Sequence, residues 1–456
     1  MKEKVSLSEP LKRFLQVLFL LWFLTLLFGW IGKDILHLPW EDGYPLFWKQ
    51  ARFSDFTIFQ ERFRYFHEAT FFQLPGFPFT YPAPIAVVFD GFFQFGAYAL
   101  SAFISFCFLA FMGACFALGR AMIHRGLGMA QMVAFIGSSM LLSYPFWFLV
   151  DRANIEIMNW LLVALGVTAY WHKRWYLAAA FFGVAISFKI FPFVFLGLLL
   201  SARKYLAVAW GIVICTFITF VSTWFIGPTY QTASAGIANG LNFFRVHYML
   251  QVHPSEIAFD HSVFAIVKEL TIVPYVVSIG HGLYYLPWLY GYMAVCAVVG
   301  VILYFLRIRT LPRANQILAL TVASILLPPV SSDYTLVHLY IPWGVLVLVS
   351  ISLSNAQKVK GLVLCFVCMA FLMAPESFAV IYGLRIAGQL KAIVLLILFI
   401  VSITYPFEDP AYDRDGVRPH TRAWKHFHWR PKMRIVGGIS YKIARKPSRE
   451  NMGGVR

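Results

Sequence analysis

Residues 14–31 read FLQVLFLLWFLTLLFGWI, an unbroken run of eighteen residues without a charged side chain. Apolar runs of about 18 residues or more are long enough for a helix to cross the hydrocarbon core of a bilayer. No pair of small residues at the spacing of a signal-peptidase site follows the run. It therefore predicts a first membrane helix rather than a cleaved secretory signal.

The composition of the whole chain agrees with that prediction. Of its 456 residues, 60% are hydrophobic and 13% are charged, whereas soluble domains average about 25% charged residues. A soluble protein of this length cannot bury so much apolar surface. The composition therefore indicates a polytopic membrane protein and argues against disordered, collagen-like and disulfide-rich secreted chains. The six cysteines all fall within apolar runs, where a packing role is expected.

Eleven further apolar runs follow the first, and together they predict an all-α bundle of about twelve membrane helices. Two of the runs, at 175–188 and 190–202, are short and are expected to be tilted or to form a broken pair. The other nine lie at residues 96–119, 129–149, 155–171, 205–226, 286–306, 314–328, 336–353, 361–374 and 390–406.

Basic residues are distributed unevenly over the connections, and this orients the bundle. With the N-terminus inside and the spans alternating, the inside segments hold 27 Lys+Arg and 7 Asp+Glu, a net charge of +20. The rest of the chain holds 11 Lys+Arg and 14 Asp+Glu, a net charge of −3. Because Lys and Arg in short loops resist translocation, both termini are predicted to be cytoplasmic. The inside segments are 1–13, 120–128, 172–174, 202–204, 307–313, 354–360 and the tail from 407.

The chain is accordingly divided into a membrane domain, 1–406, and a basic cytoplasmic tail, 407–456. The tail carries 12 Lys+Arg against 5 acidic residues. Binding of nucleic acid or of a regulatory partner is one interpretation of this charge. We favour contact of a cytoplasmic tail with anionic lipid headgroups. Membrane lipids, and no nucleic acid, are therefore the expected partners of the tail.

The polar residues that could do chemistry collect on the opposite, non-cytoplasmic side. The two long loops, 33–84 and 227–285, lie there, as do the short connections 150–154, 188–190 and 328–335. Ionisable residues at membrane depth are costly and indicate a functional site by default. The short connections carry Asp151, Arg152, Asn154, Lys189 and Asp333.

Phenylalanines recur in the first long loop at spacings of three, four and three residues, at Phe56, Phe59, Phe63 and Phe66. The pattern predicts an amphipathic helix that lies in the membrane interface with its apolar face down. Asp55 stands at the start of this stripe. It can be interpreted as the N-cap of the helix or as a general base held at the membrane surface.

Four segments in a fixed order carry a resemblance to a known family. The first joins Ser54–Phe56 to Phe79–Pro84, and the second is Asp151–Glu156. The third runs over 178–192, and the fourth is Ser331–Tyr334. Together they extend over about two-thirds of the chain. In this order they resemble the GT-C-fold glycosyltransferases that use polyprenyl-phosphate sugars, and glycosyltransferase family 87 in particular.

Two positions depart from the family pattern. Ala153 stands where family members often carry a glycine before Asn154. Asp333 and Tyr334 stand in a region where some members carry histidine.

The resemblance implies an integral membrane glycosyltransferase in a bacterial inner membrane, acting in the cell envelope. It would move a hexose from a polyprenyl-phosphate sugar, with inversion, to a hydroxyl of a lipid-linked or glycan acceptor on the non-cytoplasmic face. The frequency of mannose in the family favours mannose. Such a transfer needs a base for the acceptor proton and positive charge around the departing phosphate. It implies no cofactor, and no obligatory metal where cations surround the phosphate.

The same resemblance suggests roles for individual residues. Asp55 is predicted to be the base, from the resemblance and its position in the loop. Lys189 either contacts the donor phosphate or is a snorkelling lysine. Arg152 either helps Lys189 to bind the donor phosphate or forms a structural ion pair with Asp151 or Glu156. The other candidates for binding the donor phosphate or sugar are Asn154, Arg245, Asp260, His261, Asp333 and Tyr334.

Two histidines have competing interpretations. His261 lies in Asp260-His261-Ser262, which resembles a short polar motif of the family and either binds sugar hydroxyls or caps the helix that follows. His338 is interpreted as packing within the membrane.

Two other classes of protein fit a twelve-helix chain. A secondary transporter or lipid flippase would match the lysine at membrane depth, but transporters tend to repeat their hydropathy pattern in two halves, and no such repeat is present here. A structural membrane subunit would not need the collection of charged residues on one face. A glycosyltransferase is therefore the favoured class.

Overall fold

The computed structural model describes residues 7–31, 35, 52–250, 260–272, 286–352, 359–375, 380–381, 384–385 and 387–407. All of these belong to one compact unit, Met1–Ala411. The basic tail beyond Phe407 and parts of both long loops lie outside the described residues. The predictions made for the tail therefore stay predictions.

The described residues are almost entirely helical. The only strands among them form an antiparallel ribbon of Val380–Ile381 with Leu384–Arg385. Short 3-10 helices lie at Arg62–Tyr65, Gly96–Tyr98, Phe191–Phe195, Ile308–Thr310 and Asp333–Leu339, and π-helical turns at Arg245–Leu250 and Lys268–Ile272. The α-helices are Glu9–Trp30, Ser54–Thr57, Thr70–Gln73, Ala83–Phe93, Ala99–His124, Met129–Leu141, Tyr144–Arg152, Glu156–Trp171, Trp175–Phe188, Leu196–Ser201, Tyr205–Phe225, Tyr230–Phe244, Val263–Val267, Leu286–Leu306, Arg313–Leu326, Tyr340–Ser352, Val359–Met373 and Ala387–Thr404.

Each apolar run predicted from the sequence overlaps a helix, but fewer than twelve helices qualify as spans. Among the described residues, six are long and apolar enough to cross a membrane. A seventh is added if Met129–Leu141 and Tyr144–Arg152, bent by 50°, count as one. Five more apolar helices have only 10–17 residues. Since a 14-residue helix is about 21 Å long and the hydrocarbon core is about 30 Å thick, the count of twelve is not confirmed. The all-α class is confirmed, and six or seven of the described helices are suited by length and composition to cross a membrane.

The helices divide sharply into central and peripheral ones. Arg313–Leu326 is central, because every residue from Ala314 onward is buried. The Asn315 side chain is bonded inside the protein, where its amide donates to the carbonyls of Ser402 at 2.6 Å and Tyr405 at 2.8 Å. Leu286–Leu306 is peripheral, with a single buried residue among those described. An apolar helix that exposes most of its surface suits contact with lipid rather than water.

The first long loop does not contain the amphipathic helix predicted from its phenylalanines. It forms a four-residue helix, Ser54–Thr57, and a separate 3-10 turn, Arg62–Tyr65. The stripe is buried inside the protein rather than laid on a membrane, with its rings packed on other rings. The Phe56 ring stacks on that of Phe103, with the ring centres 5.0 Å apart, and the ring centres of Phe63 and Phe93 are 4.7 Å apart. The spacing of apolar residues identifies the buried face, but it does not say whether lipid or protein covers that face.

A buried arginine holds the next part of this loop. The Arg62 side chain is 4% exposed and donates to the carbonyls of Phe71 and Phe77 at 2.9 Å and of Leu74 at 2.7 Å. Burial lowers the pKa of its guanidinium. These bonds satisfy the carbonyls of a segment that has little regular structure and so fix the path of the chain towards Phe79.

The second long loop packs closely on the first through a glycine. Gly240 lies in the Tyr230–Phe244 helix, and a Cβ built there would stand 1.8 Å from the carbonyl oxygen of Phe79. Only glycine permits the helix backbone to approach that closely. The two loops that were predicted to share one face of the membrane therefore touch each other.

Candidate functional site

Asp55 is held by two side chains from the connection between Tyr144–Arg152 and Glu156–Trp171. Its Oδ1 accepts a hydrogen bond from Arg152 Nη2, and its Oδ2 accepts one from Asn154 Nδ2, both at 2.6 Å. The Asp55 side chain is 14% exposed and that of Arg152 is 24% exposed. The Ser54 hydroxyl also donates to Oδ1, at 3.4 Å. A carboxylate has about four lone-pair sites, so these bonds fix its orientation and still leave a site to accept a proton.

The alternative role of Asp55 as an N-cap is not what the structure contains. The residue before the Ser54–Thr57 helix is Phe53, and the helix start has no side-chain cap bond. Arg152 forms an ion pair with Asp55, a partner that the sequence did not suggest. Asp151 lies 3.6 Å from Arg52.

Two tight backbone turns bring these segments together. Phe53 and Ala153 both adopt left-handed conformations, with φ of 58° and 48°, and the Phe53 amide donates to the Asp151 carbonyl at 2.6 Å. A left-handed conformation costs a residue with a Cβ about 1–2 kcal/mol, and glycine adopts it freely. A glycine at position 153, which the resemblance leads one to expect, would adopt this turn without strain. Alanine adopts the same turn at some cost in free energy.

Asn154 links this group to a second one centred on Glu156. The Asn154 Oδ1 accepts the backbone N–H of Glu156 at 2.9 Å, which fixes its amide so that Nδ2 faces Asp55. The Glu156 carboxylate is fully buried. Its Oε2 accepts from Lys189 Nζ, and its Oε1 lies 2.7 Å from His338 Nε2. His338 is buried and packs on Phe191, as predicted, and it also contacts the Glu156 carboxylate.

Lys189 faces the rest of the predicted site through Tyr334. Its side chain is 19% exposed, and its Nζ lies 5.3 Å from the centre of the Tyr334 ring, a cation–π distance. Lys189 directly follows the Trp175–Phe188 helix. It therefore lies at the break that the sequence predicted between two short apolar runs.

Asp333, one residue before Tyr334, is directed into the protein instead. Its Oδ2 accepts from the Tyr144 hydroxyl at 2.9 Å, and its Oδ1 accepts from Lys391 Nζ at 2.8 Å. Both Asp333 and Lys391 are 0% exposed. The two neighbouring candidates of the fourth motif therefore have different partners, since Tyr334 contacts Lys189 and Asp333 contacts Lys391 and Tyr144.

The polar motif of the second long loop docks against this buried group. The Asp260 Oδ1 accepts the backbone N–H groups of Ser262 and Ser331, each at 2.9 Å. The His261 Nε2 lies 3.0 Å from the Ser331 hydroxyl, and its Nδ1 is 3.4 Å from Asp333 Oδ1. Burial raises the pKa of Asp260 and lowers that of His261. The capping alternative holds for Ser262, whose hydroxyl accepts the Ala265 N–H at 3.0 Å at the start of Val263–Val267.

Arg245 does not join these groups through its described hydrogen bonds. They run to Asn242 Oδ1 at 2.6 Å and to the Tyr290 hydroxyl at 3.2 Å. The structure therefore brings Asp55, Arg152, Asn154, Lys189 and Tyr334 into one linked network, places Asp260, His261 and Asp333 in a second, and leaves Arg245 outside both.

Sequence reasoning missed or undervalued three members of these networks, namely Glu156, Tyr144 and Lys391. Lys391 had a usable signal, because an ionisable residue within the apolar run that ends the bundle is costly unless it is paired. Glu156 was considered only as a partner of Arg152. Tyr144 gave no signal, since a tyrosine at a helix start is ordinary and its hydroxyl partner is 189 residues away.

Comparison with known proteins adds one finding. The family model of glycosyltransferase family 87 matches residues 79–332, more than half of the chain. The match includes Arg152, Asn154 and Lys189, whereas Asp55 and Asp333 lie outside it. No curated protein and no solved structure matches the chain.

Proposed function

The chain belongs to glycosyltransferase family 87, and on that premise we propose that it transfers a hexose from a polyprenyl-phosphate sugar to a hydroxyl of a lipid-linked or glycan acceptor. Membership of the family makes it a membrane glycosyltransferase. The donor, the preference for mannose and the inverting course are our proposals, as is a GT-C arrangement of its helices. The observation that carries the proposed transfer is Asp55, an oriented and partly exposed carboxylate linked through Asn154 and Glu156 to the cation of Lys189. The preference for mannose rests on its frequency in the family.

The proposed reaction divides the network into two ends. At one end, Asp55 accepts the proton of the acceptor hydroxyl as its oxygen attacks C1 of the sugar. At the other, the bond between C1 and the phosphate oxygen breaks, and the polyprenyl phosphate departs with the electron pair. Lys189 supplies positive charge for that phosphate. Arg152, which is bonded to Asp55, is proposed to add positive charge from the side of the base. Because the acceptor attacks directly, the configuration at C1 inverts and no covalent enzyme intermediate forms.

The other predicted donor contacts stay predictions. Asn154 orients Asp55 and is adjacent to the sugar site in this scheme, and Tyr334 lies over Lys189. Arg245, Asp260, His261 and Asp333 engage other protein groups, as described above. These four residues would contact the phosphate or the sugar hydroxyls only if a bound donor extended as far as their side chains.

A donor panel tests the proposal directly. Membranes that contain the full chain, and matched membranes without it, would be incubated with radiolabelled polyprenyl-phosphate mannose, glucose and arabinose. We expect label from the mannose donor to appear in an acceptor fraction as the donor is consumed. Donors that stay intact on both sides of the membrane would refute the proposal. Movement of an intact donor or another solute across the membrane would instead identify a flippase or transporter.

The location of the site is also proposed, namely a non-cytoplasmic face of a bacterial inner membrane with both termini cytoplasmic. In a chain whose native cysteines are replaced, a single cysteine at position 60 should react with an impermeant reagent added outside, and one in the tail should not. The reverse labelling would reject this orientation.

A further inference from the structure

Glu156 occupies an unusual position between the two ends of the network. Its side chain is fully buried, yet it accepts hydrogen bonds from three side chains, those of Lys189, His338 and Asn159. The Asn159 bond is 3.0 Å long. A buried carboxylate is tolerated only when charge and hydrogen bonds compensate its lost hydration. Glu156 meets that condition with Lys189 on one oxygen and with His338 and Asn159 on the other.

The backbone of Glu156 is connected, through Asn154, to Asp55 at the other end of the network. The Glu156 N–H donates to Asn154 Oδ1 at 2.9 Å, and Asn154 Nδ2 donates to Asp55 at 2.6 Å. One residue therefore fixes the proposed base through its main chain and the proposed phosphate cation through its side chain. Asp55 and Lys189 lie on separate loops of the sequence, and Glu156 is the junction between them.

We infer that Glu156 is a positioning residue that sets where the Lys189 ammonium stands relative to Asp55. This inference rests on the proposed function, in which the two groups must act on one sugar at the same time. Geometry of this kind matters greatly to a transfer, because a displacement of about 1 Å can cost about 100-fold in rate. Glu156 itself does not touch the reacting atoms, because it is buried behind the lysine.

The charge of Glu156 has a second effect on Lys189. The charged and titratable groups that act on the lysine are Glu156, Tyr334 and Asp55, and burial lowers its pKa while Glu156 raises it. Without the glutamate charge, the pKa of a buried ammonium falls. The lysine would then lose its proton as the pH rises, and activity that depends on the ammonium would be lost on the alkaline side.

The test compares Glu156→Gln and Glu156→Asp in the full chain in native membranes. Glutamine keeps the size and one acceptor oxygen but removes the charge. Aspartate keeps the charge but withdraws the carboxylate by one carbon, about 1.5 Å. We expect kcat to fall by about 100-fold for Gln and about 10-fold for Asp, with a smaller change in the donor KM. Only the Gln variant should lose activity at alkaline pH. Asp90→Asn, at an acid bonded to Gln94 and not to this network, is the matched control.

A merely structural ion pair gives a different result. In that case each variant would lose activity only in proportion to its loss of folded protein, with the pH profile of the wild type. That outcome overturns the inference, as would kcat values within about twofold of the wild type in well-folded variants.

A second measurement separates this inference from the proposed function. Amine labelling of Lys189 as a function of pH, read by mass spectrometry, reports its titration without any substrate. We expect labelling of Lys189 to begin at lower pH in Glu156→Gln than in Glu156→Asp or the wild type. An unchanged labelling curve would defeat the role of Glu156 even if transfer is observed. A wild type that consumes no donor would defeat the proposed function, while the labelling still decides whether Glu156 controls the lysine.

Discussion

Two carboxylates in this protein have the same kinds of partner and opposite surroundings. Asp55 accepts from a cation, Arg152, and from a neutral donor, Asn154. Asp333 accepts from a cation, Lys391, and from a neutral donor, Tyr144. The side chain of Asp55 is 14% exposed and that of Asp333 is 1% exposed. The first can meet a substrate, and the second is closed inside the helices.

We interpret exposure, rather than the type of partner, as the property that separates the proposed catalytic carboxylate from the structural one. A sealed ion pair contributes little net stability but is costly to break. An ion pair near the surface is worth about 0–1 kcal/mol and can be changed without loss of the fold. Substitutions in the Asp333 group should therefore act on folding, and those in the Asp55 group on turnover.

The largest effect is expected from Lys391→Met, which leaves Asp333 buried without its cation. Breaking one side of a buried pair costs about 3–5 kcal/mol, so the yield of folded protein and its thermal midpoint in detergent should both drop sharply. The control is Lys12→Met, at an exposed lysine, which should behave as the wild type. The double variant Lys391→Met with Asp333→Asn removes both charges and should recover most of the loss. Failure of the double variant to recover would contradict a role in charge compensation.

The next largest effect is expected from Asp55→Asn, and it should fall on the reaction alone. Transfer should decrease by at least about 100-fold, or about 2.7 kcal/mol, because asparagine cannot take the acceptor proton. The thermal midpoint should change little, since the lost ion pair is partly exposed. Transfer rate and thermal midpoint would be measured on the same preparation, with Glu68→Gln, an exposed acid of the same loop, as the control. A folded Asp55→Asn protein with near-normal transfer would rule out Asp55 as the base.

A smaller effect is expected from Tyr144→Phe, which removes one donor from Asp333 and leaves Lys391 in place. Loss of a hydrogen bond to a buried charged group costs about 1–3 kcal/mol. The thermal midpoint should decrease, while transfer per folded molecule should stay within about twofold of the wild type. A large decrease in transfer without a change in the midpoint would mean that the Asp333 group belongs to the reaction after all.

The smallest effect is expected from Ser262→Ala, where the second long loop meets the Asp333 group. Loss of the N-cap of Val263–Val267 should cost about 1 kcal/mol, visible as earlier proteolysis of the loop rather than as a lower rate of transfer. Ser262→Thr, which can also cap, is the matched control. If transfer fell while the loop kept its resistance to protease, the interpretation of the motif as a sugar contact would be favoured over the cap.

Several features could be predicted from the sequence because they depend on neighbouring residues. The apolar runs became helices, since helix formation within such a run needs only the local chain. The stripe of Phe56, Phe59, Phe63 and Phe66 correctly identified buried side chains. It failed to predict a continuous interfacial helix, because other aromatic residues of the fold, such as Phe93 and Phe103, cover it. Those rings come from other elements, and their arrival is not encoded in the local spacing.

The sequence by itself determined that this is an all-α membrane glycosyltransferase of family 87, because run length, composition and ordered motifs are properties of the linear chain. Only the tertiary structure decided which carboxylate is reachable and what holds it. Asp55 and Asn154 are 99 residues apart, and Asp333 and Lys391 are 58 apart. A hydrogen bond requires its two atoms to lie within about 3 Å, and that approach is fixed by the packing of helices rather than by either residue's own neighbours. The same packing connects Glu156 both to Asn154 and to Lys189, and it buries Asp333 although the neighbouring Tyr334 contacts Lys189.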